Sequence, residues 1–281
     1  MRWTTHAELI KRFPKWLYKL GAQTFMDKRW PRHLFIETTA ACQFSCANCP
    51  RPGVSHHLPF ELFKKIVDEA SLFGRRSFSL HLFGEPLLYP RIIESIRYIQ
   101  RKRHVVILTT NGLLLKNHLG DLRKVDKIIW SYKKEIKVPE ELRGWKNFVV
   151  RFFETREDLS WPRFEIKKWH NYGGQASTAH STVVSRYPCY HPFLAPGVRA
   201  TGDIVICCAD PLGKSAVGNI SNMTIHEAWN RMEWNRQQHL LGVYRGICEK
   251  CDTWKTYPNC FFSWQFGTCA SSGSGGKIHS F

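Results

Sequence analysis

The 281-residue sequence contains no run of about 18 apolar residues, so no helical membrane span is expected. Its start, Met1-Arg-Trp-Thr-Thr-His-Ala-Glu, lacks the apolar core of a secretory signal, which points to a cytoplasmic protein. Acidic residues are scarce: 23 Asp and Glu stand against 41 Lys and Arg, a formal charge of +18. Such a field attracts anions, either nucleic acid or an anionic substrate. The basic tracts, among them Lys28-Arg29, Arg101-Lys102-Arg103 and Arg123-Lys124, are scattered along the chain without an RNA-binding signature. Cysteine is missing between Cys49 and Cys189, so the ten cysteines form two sets, Cys42 to Cys49 and Cys189 to Cys269. Their close spacings favour metal ligation in a reducing compartment over disulfides.

What is present reads as a globular protein, 43 % hydrophobic and 23 % charged. Residues 1–30 form a basic, aromatic-rich extension in which Leu9, Ile10, Phe13, Trp16, Leu17 and Leu20 recur at helical spacing, interrupted by Pro14. From residue 31 to about 175, strands alternate with helices. Strands are expected at His33–Thr39, Arg76–Phe83, His104–Thr110, Lys127–Ser131, Asn147–Phe153 and Arg163–Trp169. Helices are expected at Pro59–Gly74, Pro90–Gln100 and Leu113–Leu122. That alternation implies βαβ units and a parallel sheet, with chemistry at the C-terminal ends of the strands. Only about fifteen residues separate Ser131 from the next strand, too few for a full helical crossover and its turns.

The stretch that organises the chain is Cys42-Gln-Phe-Ser-Cys46-Ala-Asn-Cys49, a CxxxCxxC loop after the first strand. Three thiolates can hold three irons of a four-iron cluster and leave the fourth open for a substrate or cosubstrate. A zinc site completed by His56 or His57 is the alternative. Gly84-Glu85-Pro86 follows the second strand, Thr109-Thr110-Asn111-Gly112 the third, and Ser131 ends the fourth. In this order the motifs resemble the radical S-adenosylmethionine (radical SAM) superfamily. The resemblance implies an open, partial (β/α)6-type TIM barrel with a trimmed later crossover. It implies a [4Fe-4S] cluster on Cys42, Cys46 and Cys49, and SAM contacts at Gly84, Glu85, Pro86, Thr110, Asn111 and Ser131. Arg151, on the fifth strand, is a further candidate, to pair with the SAM carboxylate.

The second cysteine set follows a linker near residues 175–188. Cys189-x12-Gly202-x4-Cys207, the segment Gly218-Asn-Ile-Ser-Asn-Met-Thr-Ile-His-Glu-Ala-Trp229 and Cys248-Glu-Lys-Cys251 resemble the SPASM/Twitch extension of radical SAM enzymes. A hairpin with Gly202 and Asp203 at its turn, then a helix, are expected. The resemblance assigns Cys189, Cys207, Cys248 and Cys251 to one auxiliary [4Fe-4S] cluster in a domain spanning 186–269, with a flexible tail at 270–281. A four-cysteine zinc ribbon is the alternative. Cys260 and Cys269 are too few and wrongly spaced for a second auxiliary site. Cys208, beside a ligand, is a candidate for contact with substrate.

The expected activity is reductive cleavage of SAM, hydrogen abstraction by the resulting 5′-deoxyadenosyl radical, and oxidation, dehydrogenation or cross-linking of a peptide or small molecule. A flavodoxin or ferredoxin would supply the electron. The rival readings are a zinc- or cluster-bearing nucleic-acid-binding protein, a non-catalytic electron carrier and a glycyl-radical activating enzyme.

Overall fold

The computed structural model describes Leu20, residues 27–51, 53–167 and 169–176, Cys189 and residues 191–252. The expected N-terminal helical pattern, most of the linker, Cys260, Cys269 and the tail lie outside these residues.

Six parallel strands follow one another in chain order: β1 (His33–Ile36), β2 (Ser77–Ser79), β3 (Val105–Thr110), β4 (Lys127–Ser131), β5 (Phe148–Phe153) and β6 (Phe164–Lys167). Two full helices supply crossovers. In α1 (Phe60–Ser71), Phe63, Ile66, Val67 and Ala70 form the expected apolar stripe and are buried. α2 (Ile92–Arg101) buries Ile92, Ile96 and Ile99 in the same way. Gly74 takes φ +88 just past α1, a left-handed turn that favours glycine. The third expected helix is reduced to a 3-10 turn, Leu115–Asn117, and the single turn α3 (Leu119–Leu122).

The β4–β5 crossover is abbreviated as the residue count required, with only a 3-10 turn at Glu140–Gly144. No helix covers the β5–β6 connection either. Trp161 does so instead: it is buried, with its ring 5.4 Å from Trp130 and 5.7 Å from Phe148. The outer faces of the strands (Leu34, Phe78, Val106, Ile128 and Val150) join the helices in one apolar core.

Residues of the other face carry the chemistry. Strand alternation and register place His33, Ser79, Thr109, Ser131, Arg151 and Glu165 on it. His81, just beyond β2, feels the charges of Arg151 and Glu165, which lie on β5 and β6. In a flat sheet β5 and β6 would stand roughly 14 and 19 Å from β2, at about 4.8 Å per strand. The sheet therefore curls into a partial barrel with this face inside.

The C-terminal part is joined to the barrel through its sheet. After α4 (His191–Leu194), β7 (Gly197–Val198) pairs in parallel with β1, and β8 (Asp203–Val205) and β9 (Ala216–Asn219) continue antiparallel. The hairpin thus extends the barrel sheet, giving the order β6-β5-β4-β3-β2-β1-β7-β8-β9. The helices α5 (Ile225–Arg231) and α6 (Glu233–Leu241) complete this part. The Gly218–Trp229 segment fastens it to the barrel. Lys65 donates to the carbonyls of Ile220 and Met223, Glu69 accepts from the Ile225 and His226 N–H groups, and Trp229 is fully buried.

Candidate active site between two cysteine sets

Cys42, Cys46 and Cys49 lie half-buried on the loop after β1. The Cys49 N–H donates to the Cys46 carbonyl at 3.0 Å, and Arg51 donates to the carbonyls of Ala40 and Phe44, which folds the loop back on itself. Lys133 Nζ stands 3.2 Å from Cys46 Sγ, and Asn111 Nδ2 stands 3.8 Å from Cys42 Sγ. Burial pushes the Cys49 thiol up, and the nearby Cys46 and Cys42 add to this against a backbone donor at Arg51. A thiol raised in this way suits a cationic metal group, which would stabilise its thiolate.

The turn Gly84-Glu85-Pro86 clamps this loop. A Cβ on Gly84 would lie 1.8 Å from the Thr39 carbonyl oxygen, so only glycine permits the approach. The Glu85 N–H donates to the Ala41 carbonyl at 2.8 Å. The Glu85 carboxylate, 2 % exposed, accepts from Thr110 Oγ1, the Asn111 N–H and the Leu87 N–H. Asn111 in turn reaches Gln43 at 3.1 Å, and its carbonyl accepts from Trp130 Nε1. Glu85, Thr110 and Asn111 are thus brought together, with the Glu85 carboxylate taken up by the Thr110 hydroxyl and the Asn111 N–H and the Asn111 side chain by Gln43, contacts that hold the three loops in register.

Arg151 and Ser131 are brought side by side by the β4–β5 register. The half-buried Arg151 donates from Nε to the buried Glu165 at 2.5 Å in an ion pair. Burial would raise the Glu165 carboxyl, but Arg151, then Lys167 and Lys127, hold it at about 2. His81 is lowered to about 3, by burial and then by Arg151. His170 is lowered to about 4, by burial and then by Lys167. The inner face therefore presents neutral imidazoles in a net positive field.

Cys189, Cys207, Cys248 and Cys251 line one cavity, walled also by Ile247 and Pro192. Burial, then Cys251, pushes the Cys189 thiol up. Cys207 and Cys208 share a hydrogen bond that raises the first and lowers the second. The His191 ring, with Nδ1 3.6 Å from Cys208 Sγ, adds to the lowering. Cys208 does not line the four-cysteine cavity but neighbours Lys167 and Tyr172 of the barrel.

Zinc makes a demand that these sets do not meet. Thiolates around one tetrahedral zinc sit roughly 3.8 Å apart, from a Zn–S bond of about 2.3 Å. Among the described residues, the one trio of potential ligand atoms all within 4.8 Å is His191, Cys207 and Cys208. Neither Cys42/Cys46/Cys49 nor any three of Cys189, Cys207, Cys248 and Cys251 are drawn that close. Both sets are therefore more open than a single zinc ion requires.

Tyr172 was not legible as a site residue. It sits at φ +48, and its phenol is pushed up by burial and then by Cys49, with a smaller push from Cys208. The segment that carries it is tied to the second cysteine set. Asn171 donates to the Lys250 carbonyl and exchanges backbone-to-side-chain bonds with Asp252. Lys133, Glu165 and His81 were missed as well. Strand alternation alone could have placed Glu165 beside Arg151.

Comparison with known proteins agrees with this geometry. Residues 189–252 match the SPASM family, an iron-sulfur cluster-binding domain. The S-adenosyl-L-methionine-dependent 2-deoxy-scyllo-inosamine dehydrogenase of Niallia circulans is 22% identical over 242 residues, covering 81% of this chain and 94% of that one. The crystal structure of BtrN in complex with AdoMet and 2-DOIA superposes with TM-score 0.62 at 20% identity, over 79% of this chain and 93% of that chain. Streptococcus suis SuiB bound to precursor peptide SuiA gives TM-score 0.60 at 13% identity, over 81% of this chain and 71% of that chain. The chain therefore has the fold of the radical SAM proteins, and its C-terminal part is of their SPASM/Twitch type.

Proposed function

We propose that the chain is a radical SAM enzyme that removes a hydrogen atom from a substrate held inside the barrel and oxidises the resulting radical. Cys42, Cys46 and Cys49 would hold a SAM-binding [4Fe-4S] cluster, and Cys189, Cys207, Cys248 and Cys251 an auxiliary one. When bound, the first cluster and SAM supply the reductive cleavage that yields a 5′-deoxyadenosyl radical. The Gly84-Glu85-Pro86 and Thr110-Asn111 loops would seat SAM through their backbone, with Ser131 beside them. Arg151, anchored by Glu165, would orient a carboxylate, of SAM or of substrate.

The observation that carries this reading is the Asn171-Tyr172 segment: Asn171 is hydrogen-bonded to Lys250 and Asp252, which flank Cys251 of the second set, and the adjacent Tyr172 phenol feels the charge of Cys49 of the first. A substrate beside it would face both sets, so an electron left after hydrogen loss has an acceptor close by. That arrangement favours dehydrogenation or cross-linking over simple hydrogen return. The likeness to an aminocyclitol dehydrogenase and to a protein bound to a precursor peptide supports a small molecule or a peptide. The positive inner field favours one bearing an anionic group. A flavodoxin or ferredoxin would donate the initiating electron.

Anaerobic reconstitution tests this directly. The chain should take up about eight irons, as two four-iron clusters require, and form 5′-deoxyadenosine from SAM with dithionite. Cys46→Ala should abolish cleavage, whereas Cys248→Ala should lose about half the iron and keep it. Zinc in place of iron, or a loaded first site without cleavage, would reject the proposal.

A further inference from the structure

The scattered basic tracts are gathered by the fold. In a parallel sheet every segment that precedes a strand lies at the same pole, the N-terminal ends. Arg75 precedes β2, Arg101-Lys102-Arg103 precede β3, and Arg123-Lys124 precede β4; all are exposed. Lys28, Arg29 and Arg32, also exposed, precede β1. The acids nearby are engaged: Asp27 with buried Arg76, Asp68 with Lys102, and Asp126 with the Val106 N–H. The cysteine loop lies at the opposite pole. The sheet thus separates a basic surface from the chemistry.

Two further observations say what that surface meets. Asp27 is fixed at this pole, its carboxylate binding Arg76 at 2.7 Å and its carbonyl accepting from Trp229. The leader sequence before residue 21 interleaves Lys11, Arg12, Lys15 and Lys19 with Leu9, Ile10, Phe13, Trp16, Leu17 and Leu20 at helical spacing. Exposed apolar side chains also flank the pole. Leu72, 80 % exposed, follows α1, and Trp234, 55 % exposed, stands beside Glu233, which feels the charge of Lys28. Nucleic acid has use for the charge but not for a stripe of Leu and Ile; a lipid interface uses both.

We propose that this pole docks on an anionic lipid bilayer, its basic loops meeting the headgroups and Leu72 and Trp234 the interface, with the basic and apolar sequence before residue 21 as a second contact. A single weak anchor binds a membrane reversibly, and a second, polybasic signal makes the attachment stable. The opposite pole, with the active site, then faces the aqueous phase. The inference is independent of the radical chemistry.

Co-sedimentation of the full, reconstituted chain with vesicles tests it. Pure phosphatidylcholine vesicles should leave it in the supernatant. Vesicles containing phosphatidylglycerol should carry it down, and raised salt should release it. A basic residue near an anionic surface is worth roughly fivefold in partitioning. Replacing Arg101, Lys102, Arg103, Arg123 and Lys124 together by Gln should therefore weaken binding at least about a hundredfold, with iron content and SAM cleavage unchanged as the check on folding. Leu17→Asp, in the leader, should weaken it independently. No binding to anionic vesicles, equal binding to neutral ones, or indifference to salt overturns the proposal. So does a chain that ignores vesicles and is retained by RNA on a filter, which would give the pole to nucleic acid.

Discussion

The backbone N–H of Asn111 donates to the Glu85 carboxylate at 2.7 Å, across two loops that leave neighbouring strands. Thr110 Oγ1 binds the other oxygen of the same carboxylate at 2.7 Å, and Leu87 N–H shares that oxygen. A buried carboxylate with three donors is a fastener whose failure releases both loops. Asn111 continues the chain of contacts to Gln43 and Cys42. Glu85→Gln turns an amide donor toward one of these donors and should cost about 2 kcal/mol. Calorimetry on the metal-free chain should show a fall of a few degrees in Tm. Titration of the reconstituted chain should show SAM bound about tenfold more weakly. Unchanged SAM affinity would show that the loops keep their register without this carboxylate.

Gly84 tests the same clamp from the backbone side. Its Cα faces the Thr39 carbonyl so closely that a methyl group would overlap it. Gly84→Ala must push the turn away from the cysteine loop. The expected result is a folded chain, because the apolar core on the outer face is untouched, with SAM affinity reduced more than tenfold and iron uptake by the first site impaired. Wild-type SAM binding by this variant would place the SAM site elsewhere.

The motifs and strand ends were legible because each depends on local spacing: glycine and proline in turns, apolar alternation in strands, a 3.6-residue period in α1 and α2. The missing crossover was legible from residue count alone. What could not be read was long-range pairing. β7 is a two-residue strand, Gly197–Val198, and nothing local marks its union with β1 some 160 residues earlier. Glu85 also illustrates the limit. Its motif was plain, yet only the folded loops reveal that its carboxylate is occupied by Thr110 and Asn111. The basic tracts looked scattered for the same reason, since one pole is a property of topology and not of sequence order.

The Arg151–Glu165 pair makes a pH-dependent contribution. Glu165 is held at about 2 in the folded chain, below the ordinary carboxylate range. A depressed folded value means stability fully present above the unfolded value, roughly 4.3, and lost as pH falls toward about 2. Arg151→Gln leaves a buried, unpaired carboxylate and should cost roughly 3–5 kcal/mol near neutral pH. The double variant with Glu165→Gln should recover most of that. Urea unfolding of the metal-free chain at several pH values reads this out. The single variant should regain ground on wild type as Glu165 protonates, and a pH-independent difference would show that the carboxylate is not the cause.

Lys133 bears on the reactivity of the first cysteine set. Its ammonium stands 3.2 Å from Cys46 Sγ, and it is held over the Phe44 ring at 5.0 Å. A charge-assisted hydrogen bond to a ligand sulfur stabilises the reduced, more negative state of whatever that sulfur ligates, and so raises its reduction potential. Lys133→Met keeps the stem on the ring and removes the charge. With about 1.4 kcal/mol for such a bond, the potential of the loaded first site should drop by about 60 mV. A redox titration followed by electron paramagnetic resonance measures this, with the auxiliary site as internal control. The variant should then need a stronger reductant to cleave SAM, so that cleavage with flavodoxin falls further than cleavage with dithionite. Equal losses with both donors, at an unchanged potential, would reduce Lys133 to a packing role.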